Sequence, residues 1–307
     1  MVTVATLSAA VSKRIRLASK HVYHTIRGRT HDRPRVLFIV GCQRSGTTMM
    51  LRLFDADFNC RGFNDFSELT SADTKSGVRW NPLPDVAAVI NRVPAPLVVA
   101  KALVESQNVR KLLDYFPFSK ALFMYRRRYA DVASSDMAKF GPRNGVDNLR
   151  PIAAADPHNW RSQGASRSVQ ELTARLWSQE MNPHDAAALF WYARNQLFFD
   201  LDLANHPAVM LCQYEYLTQH PDAFMRRIYD FVGVEPPDVL KTAEVRAPGK
   251  EKILELSSEV RLLCEQLQAR LDAHFHSAAT LRKGQRTAGA EASAAVLHAG
   301  DDPVTGR

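Results

Sequence analysis

Cysteine is scarce in this 307-residue chain, and its four copies, Cys42, Cys60, Cys212 and Cys264, lie far apart. Their spacing matches no metal-ligand pattern, so no bound metal is expected. Three of them fall in strand or helix patterns, where free buried thiols are common, and a reducing, cytoplasmic setting is expected. No apolar run approaches the roughly 20 residues that span a bilayer. The first residues also lack the basic-then-apolar order of a secretory leader. No internal repeat is present. No stripe of interleaved basic and aromatic residues occurs, so nucleic acid is not an expected partner.

What remains is the composition of an ordinary enzyme domain. With 46% hydrophobic residues the chain has enough apolar material for one α/β domain with a substantial core. The net charge of +8 is unevenly placed: residues 1–35 carry eight Lys and Arg against Asp32 alone. Val11, Ile15, Ala18 and Val22 fall at helical spacing there. Residues 1–34 therefore read as a basic arm, either packed on the domain or lying as an amphipathic helix on an anionic membrane surface. The domain proper is expected over 35–276. It closes on a helix from about Ile253 to Phe275, with Val260, Leu263, Cys264, Leu267 and Leu271 on one face. Residues 277–307 lack periodicity and are expected to be disordered.

The run Val36-Leu37-Phe38-Ile39-Val40 reads as a buried parallel strand. It ends at Gly41, turns through Cys42-Gln43-Arg44-Ser45-Gly46-Thr47-Thr48, and enters Met49-Met50-Leu51-Arg52-Leu53-Phe54, a strong helix former. Free N–H groups and the positive end of a helix dipole converge in such a turn, which predicts an anion site, phosphate above all. A nucleotide-hydrolysing loop carries Lys directly before its last Ser or Thr. Here Gly46 holds that place and the cation, Arg44, lies on the near side of the glycine. The hydroxyls of Ser45, Thr47 and Thr48 can still donate to phosphate.

A second strand candidate, Ala121–Tyr125, ends in Arg126-Arg127-Arg128, and a helical pattern starts near Asp131. Ligands of open parallel sheets bind at the carboxyl ends of strands, so Arg127 and Ser135, eight positions apart, can converge on another phosphate. Residues 141–166 form a long polar stretch with several Pro and Gly, expected to be a loop walling the acceptor side. Helices are expected at Ser168–Gln179 and Ala186–Asp200, then a strand at Val209–Gln213.

Together these segments resemble the PAPS-dependent sulfotransferases. Arg44-Ser45-Gly46-Thr47-Thr48 is similar to their 5′-phosphosulfate loop, and Arg127 through Asp131-Val132 to Ser135 to their 3′-phosphate motif. Between them, Val98-Val99-Ala100-Lys101 and Leu112-Leu113-Asp114-Tyr115-Phe116-Pro117 keep the family spacing. Gln213-Tyr214-Glu215-Tyr216-Leu217, Pro221-Asp222 and Phe231-Val232-Gly233-Val234 resemble its later signature. Gln43 replaces a common Pro, Arg128-Tyr129 replace Asp-Pro, and the C-terminal Arg-Lys-Gly loop has no clear counterpart around Arg246, Gly249 and Lys250. The pattern is closer to the carbohydrate and tyrosyl-protein branches than to the small-phenol branch.

The resemblance implies a P-loop-type three-layer αβα sandwich with a central, mainly parallel sheet. It implies in-line transfer of a sulfuryl group from PAPS to an acceptor hydroxyl or amine, without a metal. Amides of residues 44–48 would hold the 5′-phosphate, Arg44 and Lys101 would neutralise charge at the reacting centre, and Arg127 with Ser135 would select the 3′-phosphate. The related branches place a carboxylate base shortly after the first helix. Glu68 is the first choice here and Asp65, the better fit on spacing, the second, with His158 a third candidate. The acceptor is open among small molecules, carbohydrates, lipid-linked sugars and peptides, and the oligomeric state is not legible. A P-loop kinase and a non-catalytic nucleotide-binding module are the alternative readings.

Overall fold

In β1 (Arg35–Gly41), Leu37, Phe38, Ile39 and Val40 are all fully buried, as a parallel strand covered on both faces requires. The computed structural model describes residues 33–277 except 75, 76, 248 and 251, and ahead of them 18–20, 22–24 and 26. The chain continues through α1 (Thr47–Asp55), β2 (Cys60–Phe63), an antiparallel ribbon of β3 (Thr70–Asp73) and β4 (Gly77–Trp80), and α2 (Leu83–Asn91). Next come β5 (Leu97–Lys101), a 3-10 turn (Leu103–Asn108), α3 (Val109–Tyr115) and β6 (Lys120–Tyr125). Then follow α4 (Tyr129–Phe140), α5 (Asn144–Ala153), α6 (Arg167–Leu176), α7 (Pro183–Asp200), β7 (Val209–Gln213), α8 (Tyr214–Gln219) and α9 (Pro221–Val232). Helix α10 covers residues 258–277.

Five strands pair in parallel in the order β2-β5-β1-β6-β7, with helices flanking the sheet. This is the α/β architecture expected. Because β5 lies on one side of β1 and β6 on the other, the loop after β1 opens at the point where the winding reverses. A crevice forms there at the carboxyl ends of the strands. Its floor is rigid. Phe198 of α7 packs on Phe123 of β6 with ring centroids 5.2 Å apart, and Phe54 of α1 meets Tyr229 of α9 at 5.2 Å.

Several expectations need correction. Residues 141–166 are not one loop: Val146, Leu149 and Ile152 fall at helical spacing, and α5 buries all three. The last helix begins at 258 rather than near Ile253, which is 93% exposed. Val260, Cys264, Leu267 and Leu271 are buried as expected, joined by Phe275. All four thiols are free and buried. The described part of the basic arm is helical and packs on the domain through polar groups. Lys20 Nζ donates to the carbonyls of Asp55 (2.7 Å) and Cys60 (2.6 Å), and His24 Nε2 bonds the Phe58 carbonyl at 2.8 Å. Val22 and Ile26 lie exposed. The rest of the arm and the tail from 278 lie outside the described residues. No described helix is long and apolar enough to cross a membrane.

Candidate active site

The loop after β1 is shaped by two glycines that no other residue can replace. Gly41 has φ 123°, and a Cβ there would sit 2.2 Å from the Met124 carbonyl oxygen. Gly46 has φ 84°, and a Cβ would fall 2.3 Å from the ring of Tyr214. Arg44 is also left-handed, at φ 63°. Such left-handed turns form anion-binding concavities. Helix α1 then starts with no side-chain cap and no acid in its first turn, so its N-terminal N–H groups and dipole are left for a ligand. Ser45 is fully buried, its hydroxyl has no hydrogen-bond partner, and it does not line the cleft that its neighbours Arg44 and Gly46 line.

Strand register brings a base candidate to this loop. Phe63 of β2 pairs with Ala100 of β5, so the chain just past the end of β2, Asn64 and Asp65, runs beside Lys101 at the end of β5. Lys101 Nζ lies 2.5 Å from Asp65 Oδ2 and donates to Thr48 Oγ1 at 3.0 Å. The other carboxylate oxygen of Asp65 is buried and has no hydrogen-bond partner. Glu68, the first choice from the sequence, is not brought here. The Thr70 hydroxyl bonds the carbonyls of Asp65 (2.9 Å) and Ser67 (3.0 Å), which turns the chain away. Glu68 is left 59% exposed, 3.7 Å from Arg61. His158 is exposed, in a turn closed by Asp156, and does not line the cleft.

The three arginines after β6 divide their roles. Glu215 accepts from the backbone N–H groups of Arg127 (3.0 Å) and Arg128 (3.2 Å), and burial pushes its pKa above the ordinary glutamate value. Arg126 donates to Asp131 at 2.8 Å and stacks over Tyr214 at 4.8 Å. Arg128 bonds Asp131 and the Gly249 carbonyl. Arg127 is 55% exposed and bonds Asp272 of α10 at 2.8 Å. It lies outside the cleft lining, where Arg126 and Ser135 do appear. The Ser135 hydroxyl is held by Arg44 Nε at 2.9 Å, so α4 and the β1 loop are in direct contact.

Arg44, Gly46, Thr47, Thr48, Asp65, Lys101 and Ser135 thus line one cleft of about 580 Å³. A family model for the sulfotransferase domain matches residues 34–259. The chain belongs to the sulfotransferase domain family. Solved relatives include a sulfotransferase from Alicyclobacillus acidocaldarius (15% identity, TM-score 0.47, covering 80% of this chain and 95% of that one). Similar too is the sulfotransferase domain of the olefin synthase of Synechococcus PCC 7002 (18%, 0.48, 79% and 96%). A third is the sulfotransferase domain from the curacin biosynthetic pathway (15%, 0.48, 77% and 98%). No curated protein sequence matches the chain.

The matched region of this sulfotransferase stops inside α10, whose buried face nevertheless completes the core. Asp272 shows why: it accepts from Tyr125 Oη (3.0 Å), Gln213 Nε2 (2.9 Å) and Arg127 Nε, tying α10 to the ends of β6 and β7. Several cleft residues of the sulfotransferase had no assigned role in the sequence reading, among them Tyr214, Arg126, Phe66 and Arg161. Phe66 adjoins Asp65, and its neighbourhood was the only available signal. Arg161 gave none, since it lies in a turn-rich segment. Among the described residues no cluster of His, Cys, Asp and Glu is arranged to hold a metal ion.

Proposed function

We propose that this sulfotransferase moves a sulfuryl group from PAPS to an acceptor hydroxyl, with Asp65 as the general base. The observation that carries the reading is the Lys101–Asp65 pair at the mouth of the β1 loop, where one Asp65 oxygen lacks a protein donor. A base must lie within hydrogen-bond reach of the proton it removes, and Asp65 lines the same cleft as Arg44, Thr48 and Lys101.

The donor's 5′ end would take the N–H groups of residues 44–48; bound there, it supplies the sulfuryl group and a phosphate leaving group. Arg44 and Lys101 stabilise negative charge as the bond to the leaving oxygen breaks, in the manner of other in-line group transfers. Lys101 holds Asp65 at the same time, so the base stays oriented beside the reacting centre. The 3′-phosphate would be taken by Ser135 and Arg127. The terminal guanidinium nitrogens of Arg127 make no bond to protein among the described residues, whereas Arg126 is committed to Asp131 and Tyr214.

The test is calorimetric titration with adenosine 3′,5′-bisphosphate (PAP), AMP and ATP, followed by turnover with labelled PAPS and an acceptor panel. Tight binding of PAP alone and label transfer are the expected results. Preference for ATP would remove the reading in favour of a kinase-like one.

A further inference from the structure

The lining of the cleft is chemically mixed. Arg44, Lys101 and Ser135 are the residues assigned to the donor. Beside them the lining includes an apolar wall of Leu103, Val104, Trp160, Phe140 and Phe66. Phe66 is 82% exposed and Phe140 55% exposed, so folding leaves two large rings in water at the edge of the cleft. Exposed rings grouped beside a cleft mark a surface that receives an apolar ligand.

One charge sits in that wall. Arg161 lines the cleft, and its position is fixed by its surroundings. Its Nε donates to Asn148 Oδ1 of α5 at 2.6 Å, and its guanidinium lies 4.4 Å from the centroid of the Trp160 ring. The buried Arg194 guanidinium lies 5.0 Å from the centroid of the same ring. Burial lowers the pKa of both, that of Arg194 to about 10. A cation brought into a partly desolvated cleft and locked in one orientation is pre-organised to bind an anion through charge-assisted hydrogen bonds. It belongs to neither phosphate motif: Arg161 stands on the segment after α5, whereas the assigned donor ligands come from the ends of β1, β5 and β6 and from α4.

We infer that the acceptor is a hydroxylated compound with an apolar body and an anionic group, the body lying on Phe66, Phe140 and Trp160 and the anion on Arg161. This rests on the sulfotransfer reading above, and the test separates the two. The protein is saturated with PAP, and two matched pairs are titrated: 10-hydroxydecanoate against 1,10-decanediol, and 3-(4-hydroxyphenyl)propanoate against 3-(4-hydroxyphenyl)propan-1-ol. In at least one pair the acid should bind about tenfold more tightly than its neutral partner. Arg161→Gln should erase that difference and leave PAP affinity within about twofold, while Arg161→Lys retains part of it. The comparison within the wild-type protein needs no variant to fold. Equal binding of acid and neutral partner, or no binding by either, overturns the inference. So does a preference that survives Arg161→Gln, or a loss of PAP affinity in that variant, which would put Arg161 on the donor. If PAP itself fails to bind the wild-type protein, the sulfotransfer reading falls, and the inference with it.

Discussion

Asp65 lines the cleft with one oxygen held by Lys101 and the other without a protein donor, the arrangement that supports its proposed role as base. Asp65→Asn keeps the size and removes the basicity, so turnover should fall about 10²–10⁴-fold while PAP affinity changes by less than about twofold. Glu68→Gln, on the exposed side of the turn, should keep turnover within about twofold of wild type. Kinetics with labelled PAPS checks both, and a dead Glu68→Gln with an active Asp65→Asn would reverse the assignment. On the proposed assignment of Arg127 to the 3′-phosphate, Arg127→Ala should weaken PAP binding by about 10–100-fold and leave AMP binding unchanged. Equal losses for PAP and AMP in calorimetry would show that it acts elsewhere. The loop residues 44–48 were legible in the sequence because strand, glycine and helix start fix them locally. Asp65 against Glu68 was not, since the choice depends on the register of β2 with β5 and on the Thr70 turn. Nor does a run of three arginines disclose that Arg126 lines the cleft while Arg127 turns to Asp272, far along the chain.

Among the elements, the strands buried on both faces could be read directly from their apolar runs, while β2 (Cys-Arg-Gly-Phe) could not, being short and half polar. Helix α5 was obscured by Pro151 and its polar neighbours, which mask an apolar face of three residues. Helix α10 was legible as an amphipathic element but not as part of the site's scaffold. It carries a pH dependence. His274 packs edge-on against Phe198 at 5.1 Å, and burial lowers its pKa from the ordinary 6.5. The unfolded chain therefore binds the proton more readily than the fold. The stability contributed is present above 6.5 and is lost as pH falls from there through the folded-state value. Melting temperature should drop between about pH 7 and pH 5, and His274→Gln should make that drop smaller. An identical pH profile in the variant would mean that His274 takes no part in it.

For the molecule as a whole, a net charge of +8 suggests general attraction of an anionic donor, but the placement of that charge argues otherwise. Nearly all of the excess lies in residues 1–35, and Lys20 of that arm bonds the Asp55 carbonyl, at the carboxyl end of α1. The anion site is at the other end of that helix. Nine residues at about 1.5 Å each put some 13 Å between them. The screening length at physiological salt is about 8 Å, so the field of Lys20 is largely spent before it reaches the cleft. Donor binding should then depend on the cleft's own cations. Removing residues 1–17, with Lys13, Arg14 and Arg16, should leave PAP affinity within about twofold at about 0.15 M salt. Raising salt toward about 1 M should weaken PAP binding several-fold in the full-length and the shortened chain alike. Calorimetry on both chains across that range decides the matter. A loss of about tenfold on truncation would mean that the arm reaches across the domain to the donor and belongs to the binding site.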